Sequence, residues 1–289
     1  MFQITAKGSR AEIEAAWDAL AWIDPSPASA VDAKEETRLI WRLDAYTESE
    51  DAAQACIALI ADIAPNLNAV SAALQDRDWV TLSLEGLPAV EAGRFIVAGS
   101  HALAKSAPGK TDILIEAGPA FGTGHHGTTR GCLLGFEEAL KHKTPKRVLD
   151  VGTGSGVLAI AAIKAGADCA IGTEIDAQSV TVATDNASKN HVANRFRAYK
   201  TGGGVGRTAQ ASAPFDLVFA NILARPLIGL SPEITRLTGR GGFVILSGLL
   251  NHQAPLVRQA YTGRGLTLMK QIKQDGWSTL VLRRPSPSN

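Results

Sequence analysis

Val148-Leu149-Asp150-Val151-Gly152-Thr153-Gly154-Ser155-Gly156 is the stretch on which the fold turns. Its apolar start has the character of a strand end, its alternating glycines that of a tight turn, and the residues that follow that of a helix. A turn without Cβ atoms lets a ligand approach the main chain closely. Working outward, strand-like and helix-like segments alternate. The pattern predicts strands at 147–151, 169–174, 215–220 and 242–246, and helices at 155–165, 177–189 and 225–238. Such alternation implies a parallel sheet covered on both faces. Two further extended runs, 266–273 and 277–282, flank Asp275-Gly276, a strong hairpin signal. The expected fold class is therefore α/β, a Rossmann-like parallel sheet that ends in an antiparallel hairpin.

The glycines alone do not choose the ligand. Gly154 to Ala159 also fits the dinucleotide pattern G-x-G-x-x-A, and Glu174 follows Gly154 by 20 residues. Asp150 discriminates, because a carboxylate beside the turn would oppose a pyrophosphate but attract the ammonium and sulfonium of S-adenosylmethionine. Glu174, at a strand end, is suited to accept hydrogen bonds from both ribose hydroxyls. Asn221 follows the apolar strand 215–220 at the carboxyl edge, where open α/β sheets place their sites. Its amide oxygen could orient an attacking amine, or its side chain could cap the next helix. Upstream, Phe121-Gly122-Thr123-Gly124-His125-His126-Gly127-Thr128-Thr129 has the density of glycines and hydroxyls expected of a lid. Thr128 and Thr129 could cap the helix running to Lys141 or reach the cofactor. Adjacent histidines without an acidic or cysteine partner nearby are only a weak signal for a metal.

The first 80 residues differ in charge. They hold 6 Lys/Arg against 14 Asp/Glu, a balance of −8 that leaves +9 for the rest of a chain whose total is +1. An acidic module repels naked nucleic acid and favours a basic partner. It reads as strand 2–7, a helix over 10–22 capped by Ser9, strand 39–43, a helix to about Ile63 capped by Thr47 with Glu50, and a third strand at 78–82. That order suggests a small α+β, ferredoxin-like domain. The expected division is 1–84 for substrate recognition, 85–111 as a glycine-rich linker with short elements such as 95–97, and 112–289 for catalysis. Hydrophobic residues at 45% and charged residues at 20% argue against extensive disorder. No run of 18 apolar residues and no signal-like start occurs, and three scattered cysteines suggest neither disulfide nor zinc. The chain is expected in the cytoplasm, as a monomer, without membrane or direct nucleic-acid contact.

Taken together, Ala120 to Gly124, Thr128-Thr129, Asp150 to Gly156, Glu174-Ile175-Asp176, Ala220 to Ala224 and Leu246-Ser247-Gly248 resemble the PrmA family of ribosomal protein L11 methyltransferases. The resemblance spans most of 112–250. It implies a protein N-methyltransferase that moves methyl groups from S-adenosylmethionine to lysine ε-amines or an N-terminal α-amine of ribosomal protein L11. It further implies Thr129, Gly152, Glu174 and Asn221 as cofactor contacts, joined here by Asp150, Gly154, Phe121 and Gly122, with Asn221 catalytic. The acidic front module would recognise the ribosomal protein. The chain departs from the family pattern at His125 and Gly127, where threonine and proline are usual, and at Glu174, where aspartate is usual. A class I methyltransferase for another protein, a small molecule or nucleic acid, an NAD-dependent oxidoreductase and a non-catalytic binding module remain open at this point.

Overall fold

The computed structural model describes residues 2–23, 26–37, 39–73, 89–100, 102, 108–116 and 127–286. They form two compact units, Met1–Asp78 and Trp79–Asn289.

The first unit runs β1 (Phe2–Gly8), α1 (Arg10–Trp22), β2 (Ala30–Glu35), β3 (Trp41–Thr47), α2 (Glu50–Ile63) and β4 (Val70–Ala73). The sheet order is β2-β3-β1-β4, with every neighbouring pair antiparallel. This is the ferredoxin-like βαββαβ arrangement. Ile4, Ala6, Leu43 and Ala45 alternate onto the buried face, and Ile13, Trp17, Leu20, Ala53, Cys56 and Ile60 of the two helices are buried with them. Ser9 caps α1 in a full capping box with Glu12. The second cap differs from expectation: Ser49, not Thr47, accepts from the Ala52 backbone N–H. Thr47 ends β3, fully buried, and donates its hydroxyl to the Ser49 carbonyl. The sequence pattern also passes over β2, a six-residue strand at the sheet edge in which Val31 and Ala33 are buried and half the residues are polar. The expected third strand at 78–82 lies outside the described residues, and the fourth strand of the sheet is β4.

The second unit opens with β5 (Val90–Ala92), β6 (Phe95–Ala98) and β7 (Thr111–Leu114), in which β5 pairs antiparallel and β7 parallel to β6. Much of the stretch expected to be a linker, 85–111, thus belongs to the second unit. Phe95 is fully buried and stacks on Phe136 at 5.5 Å. There follow α3 (Gly127–Leu140), β8 (Arg147–Val151), α4 (Val157–Lys164), β9 (Cys169–Glu174), α5 (Ala177–Lys189), β10 (Phe196–Lys200), α6 (Gly206–Ala211), β11 (Phe215–Asn221), α7 (Ala224–Leu237), β12 (Thr238–Leu250), α8 (Ala254–Thr262), β13 (Thr267–Gln274) and β14 (Trp277–Arg283).

These strands form one seven-stranded sheet, β10-β9-β8-β11-β12-β14-β13. The first five are parallel and β14 runs antiparallel to both its neighbours. Counted from β8 the order is 3-2-1-4-5-7-6, a class I methyltransferase sheet. Helix α4 is apolar all round because Val157 to Ile163 are all buried, and its segment needs no amphipathic stripe. The order reverses between β8 and β11. At that switch point the two following connections leave on opposite faces, which opens a crevice at the carboxyl edge. Asp150 is the penultimate residue of β8 and Asn221 the last of β11.

Candidate functional site

The turn after β8 is built by backbone geometry first. Gly152, Gly154 and Gly156 all have positive φ, at 68°, 51° and 82°. Side chains rarely adopt such values, so these positions are held for glycine. The Gly152 and Thr153 N–H groups donate to the Thr173 carbonyl at 2.8 and 3.1 Å, which ties the turn to the end of β9. Asn186 of α5, almost fully buried, donates to the Ser155 carbonyl at 2.9 Å from the other side. Nothing in the sequence pattern marked Asn186, because its spacing is that of an ordinary helical residue.

Asp150 lies beneath this turn at 1% exposure. One carboxylate oxygen, Oδ2, accepts from the Thr153 hydroxyl at 2.7 Å. The other, Oδ1, is buried and has no hydrogen-bond partner. Burial pushes the carboxyl from its ordinary 3.8 up to about 7. The Thr153 hydroxyl and the Ala159 backbone N–H pull it back in part, and the negative charge of Glu174 raises it further. A half-satisfied buried carboxylate is costly unless a donor or a positive charge completes it.

Glu174 braces the loop. Its Oε2 accepts from the Gly154 N–H at 2.9 Å, and its Oε1 from the Ile175 and Asp176 N–H groups at 2.8 and 3.4 Å. Oε2 keeps a further lone pair for a ligand hydroxyl, whereas Oε1 already accepts twice. Asp176 next to it caps α5 by accepting from Gln178 and Ser179.

Asn221 closes β11, in register with Ser247 of β12. It does not cap the following helix, because the N-cap of α7 is Leu223 and no side chain serves there. Its Oδ1 is buried without a hydrogen-bond partner. The α3 threonines do not act as caps either, since both lie inside the helix, at 1% and 0% exposure for Thr128 and Thr129. The Thr129 hydroxyl is likewise buried and unpartnered, as is that of Thr173. Phe121 and Gly122, together with His125 and His126 of the expected lid, lie outside the described residues.

Buried polar atoms are normally paired, so unpaired ones mark a place where something else binds. At the turn, the strand ends and α3 they are Asp150 Oδ1, Asn221 Oδ1 and the Thr129 and Thr173 hydroxyls, and Thr235 on α7 and Gln274 at the end of β13 hold two more. The carboxylate and amide oxygens can only accept, which suits a cationic, hydroxyl-bearing ligand and disfavours a diphosphate. This set of acceptors therefore fits S-adenosylmethionine. A separate groove of about 470 Å³, lined by Lys110, Lys164, Asn190, His191 and Arg195, lies at the amino edge instead. The α4 and α5 helices end there, and cations at helix C-termini complement the macrodipole.

Residues 2–285 match the family described as ribosomal protein L11 methyltransferase (PrmA). The chain belongs to this family. It is 43% identical over 288 residues to the ribosomal protein L11 methyltransferase of a Caulobacter species, with 98% of each chain covered. It is 50% identical over 211 residues to that of Bradyrhizobium diazoefficiens, covering 73% of this chain and 72% of the relative. Among solved structures, the ribosomal protein L11 methylase of Lactobacillus delbrueckii subsp. bulgaricus matches with a TM-score of 0.60 and 32% identity, over 69% of this chain and all of the other. This PrmA-family chain carries the strand order and the glycine turn of a methyl-donor site. Among the described residues no helix is long and apolar enough to cross a membrane.

Proposed function

We propose that this PrmA-family chain transfers methyl groups from S-adenosylmethionine to amines of ribosomal protein L11, at lysine ε-amino groups, the N-terminal α-amine or both. The observation that carries this reading is the pair of unsatisfied acceptors, Asp150 Oδ1 and Asn221 Oδ1, at the strand ends that flank the switch point. Bound there, S-adenosylmethionine supplies an electrophilic methyl group. Asp150 accepts from the donor's ammonium, Glu174 from its ribose hydroxyls, and Gly152 and Gly154 allow its close approach. Thr129 contributes a hydroxyl from α3, and Phe121 and Gly122, earlier in the sequence, are proposed to complete the set. Asn221 orients the incoming amine by accepting one of its N–H bonds, so that its lone pair faces the methyl carbon.

The amine must attack in its neutral form. A lysine ε-amine has a reference pKa of about 10.4 and an α-amine about 7.7–8.0, so a lysine has to shed its proton first. Desolvation in a dry crevice favours that loss. The product ammonium releases its proton to solvent before any further transfer. Rate enhancement then comes mainly from positioning. The acidic first unit, within the proposed recognition domain 1–84, engages the ribosomal protein, and the catalytic domain comprises 112–289 together with the β5–β6 segment that the second unit holds. The substrate is read as the free protein, and the enzyme as a cytoplasmic monomer.

The test is direct. Full-length protein is incubated with unmodified ribosomal protein L11 and isotopically labelled S-adenosylmethionine, and the label is located by mass spectrometry. Labelled lysines or a labelled N-terminus are expected, and Asn221→Ala should slow transfer by at least about 100-fold. Absence of label on ribosomal protein L11, with label on some other acceptor, would overturn the substrate assignment.

A further inference from the structure

Asn221 sits on a connection that has little to hold it. It is the last residue of β11, and α7 begins only three residues later without a side-chain cap. The intervening Ile222 is gripped instead. A Cβ built on Gly152 would collide with Ile222 Cγ2. A Cβ built on Gly248 would collide with the Ile222 carbonyl oxygen and lie only 2.9 Å from its carbonyl carbon and 3.1 Å from its nitrogen. Both glycines have positive φ, at 68° and 81°. The side chain of Ile222 thus rests on the turn that follows β8, and its main chain rests on β12.

β12 is shaped for this contact. Its ladder to β14 is regular up to Leu246 and resumes at Leu249, a register shift that spans Ser247 and Gly248. Ser247 is anchored below, fully buried, with its hydroxyl 2.8 Å from that of Thr279. A bulge re-aims a strand where a ladder would otherwise run straight. Here it brings Gly248 against Ile222 while Ser247 stays in register with Asn221.

We infer that Gly152 and Gly248 clamp Ile222 and thereby fix Asn221, making Ile222 and Gly248 positioning residues for methyl transfer. The inference rests on the role proposed above for Asn221. It differs from a general need for glycine at tight turns, because it assigns the side chain of Ile222 a part in the rate.

Ile222→Ala tests this without adding bulk. In the unliganded full-length protein, amide hydrogen exchange across 221–224 should speed up about tenfold, because the wedge that orders the connection is gone. The turnover number with ribosomal protein L11 should fall about tenfold, while the calorimetric affinity for S-adenosylmethionine stays within about threefold. Gly152→Ala, which creates the collision, should be partly rescued by Ile222→Ala: the double variant should turn over at least about five times faster than Gly152→Ala alone. Wild-type exchange and turnover in Ile222→Ala would overturn the clamp. So would loss of cofactor affinity in step with turnover, which would make Ile222 a cofactor contact, and so would a double variant no faster than the single. Wild-type protein that methylates nothing would instead sink the function proposed above, so the two failures are distinguishable.

Discussion

Asp150 couples the site to pH. Its carboxyl is raised from 3.8 to about 7, chiefly by burial. The folded protein therefore holds a proton there that the unfolded chain has already released between about pH 4 and 7. The stability linked to that proton is fully present below about 3.8 and is lost as pH rises through 7. Unliganded wild-type protein should accordingly lose melting temperature from pH 5.5 to pH 8 by more than Asp150→Asn does, which paired thermal scans would measure. The ligand reverses the sign. A cationic cofactor needs the carboxylate, so S-adenosylmethionine affinity should fall as pH drops below 7, by up to about tenfold per unit, and calorimetry should find that slope absent in Asp150→Asn. A flat wild-type profile would sink the assignment. Charge logic in the sequence pointed to Asp150, because a sign is readable from one side chain. Its depth, its Thr153 partner and the brace from Glu174 to the Gly154 N–H arise from packing between distant segments and were not readable.

Helix α3 is seated by glycines at every fourth residue. A Cβ on Gly127 would lie 3.3 Å from Trp277, one on Gly131 3.3 Å from the Thr279 Cβ, and one on Gly135 3.0 Å from Val281. The three partners alternate along β14, so four helical residues, about 6 Å, match two strand residues, about 6.8 Å. Helix propensity alone would have Gly131→Ala stabilise by about 1 kcal/mol. Overpacking costs about 1–3 kcal/mol and should win, so urea unfolding should show net destabilisation. The control is Gly229 in α7, which is exposed and has nothing within 4 Å of its would-be Cβ. There alanine should stabilise by up to about 1 kcal/mol; the same sign at both sites would refute the packing account. Elements with strong local patterns were legible: four of the five parallel strands (β8, β9, β11 and β12), α5, α7 and the hairpin at Asp275-Gly276. β2, β10, α6 and α8 were not, because short or edge elements owe their form to neighbours more than to their own pattern. Thr47 was mistaken for a cap because a capping-box spacing says nothing about whether the threonine is already committed to a strand.

The whole molecule divides by charge as well as by contact. The acidic balance of −8 falls within the first unit, Met1–Asp78, whose β-sheet and two helices enclose a core of their own. Composition made the existence of two units legible, but not the membership of β5 and β6, whose glycine-rich surroundings resemble a linker and whose pairing with β7 no local signal announces. The orphaned acceptors of the site all lie in the second unit, Trp79–Asn289. If the first unit serves only to recognise the substrate, the second expressed alone should bind S-adenosylmethionine within about threefold of the full chain, because its cofactor contacts are intact. Transfer to ribosomal protein L11 should drop by at least about 100-fold, since the acidic surface that draws and orients a basic partner is missing. That loss should appear in kcat/KM and weaken as salt rises, because screening already removes part of the attraction from the full-length reference. Retention of full methylation by the second unit alone would place substrate recognition in the catalytic fold and leave the first unit without the role proposed for it.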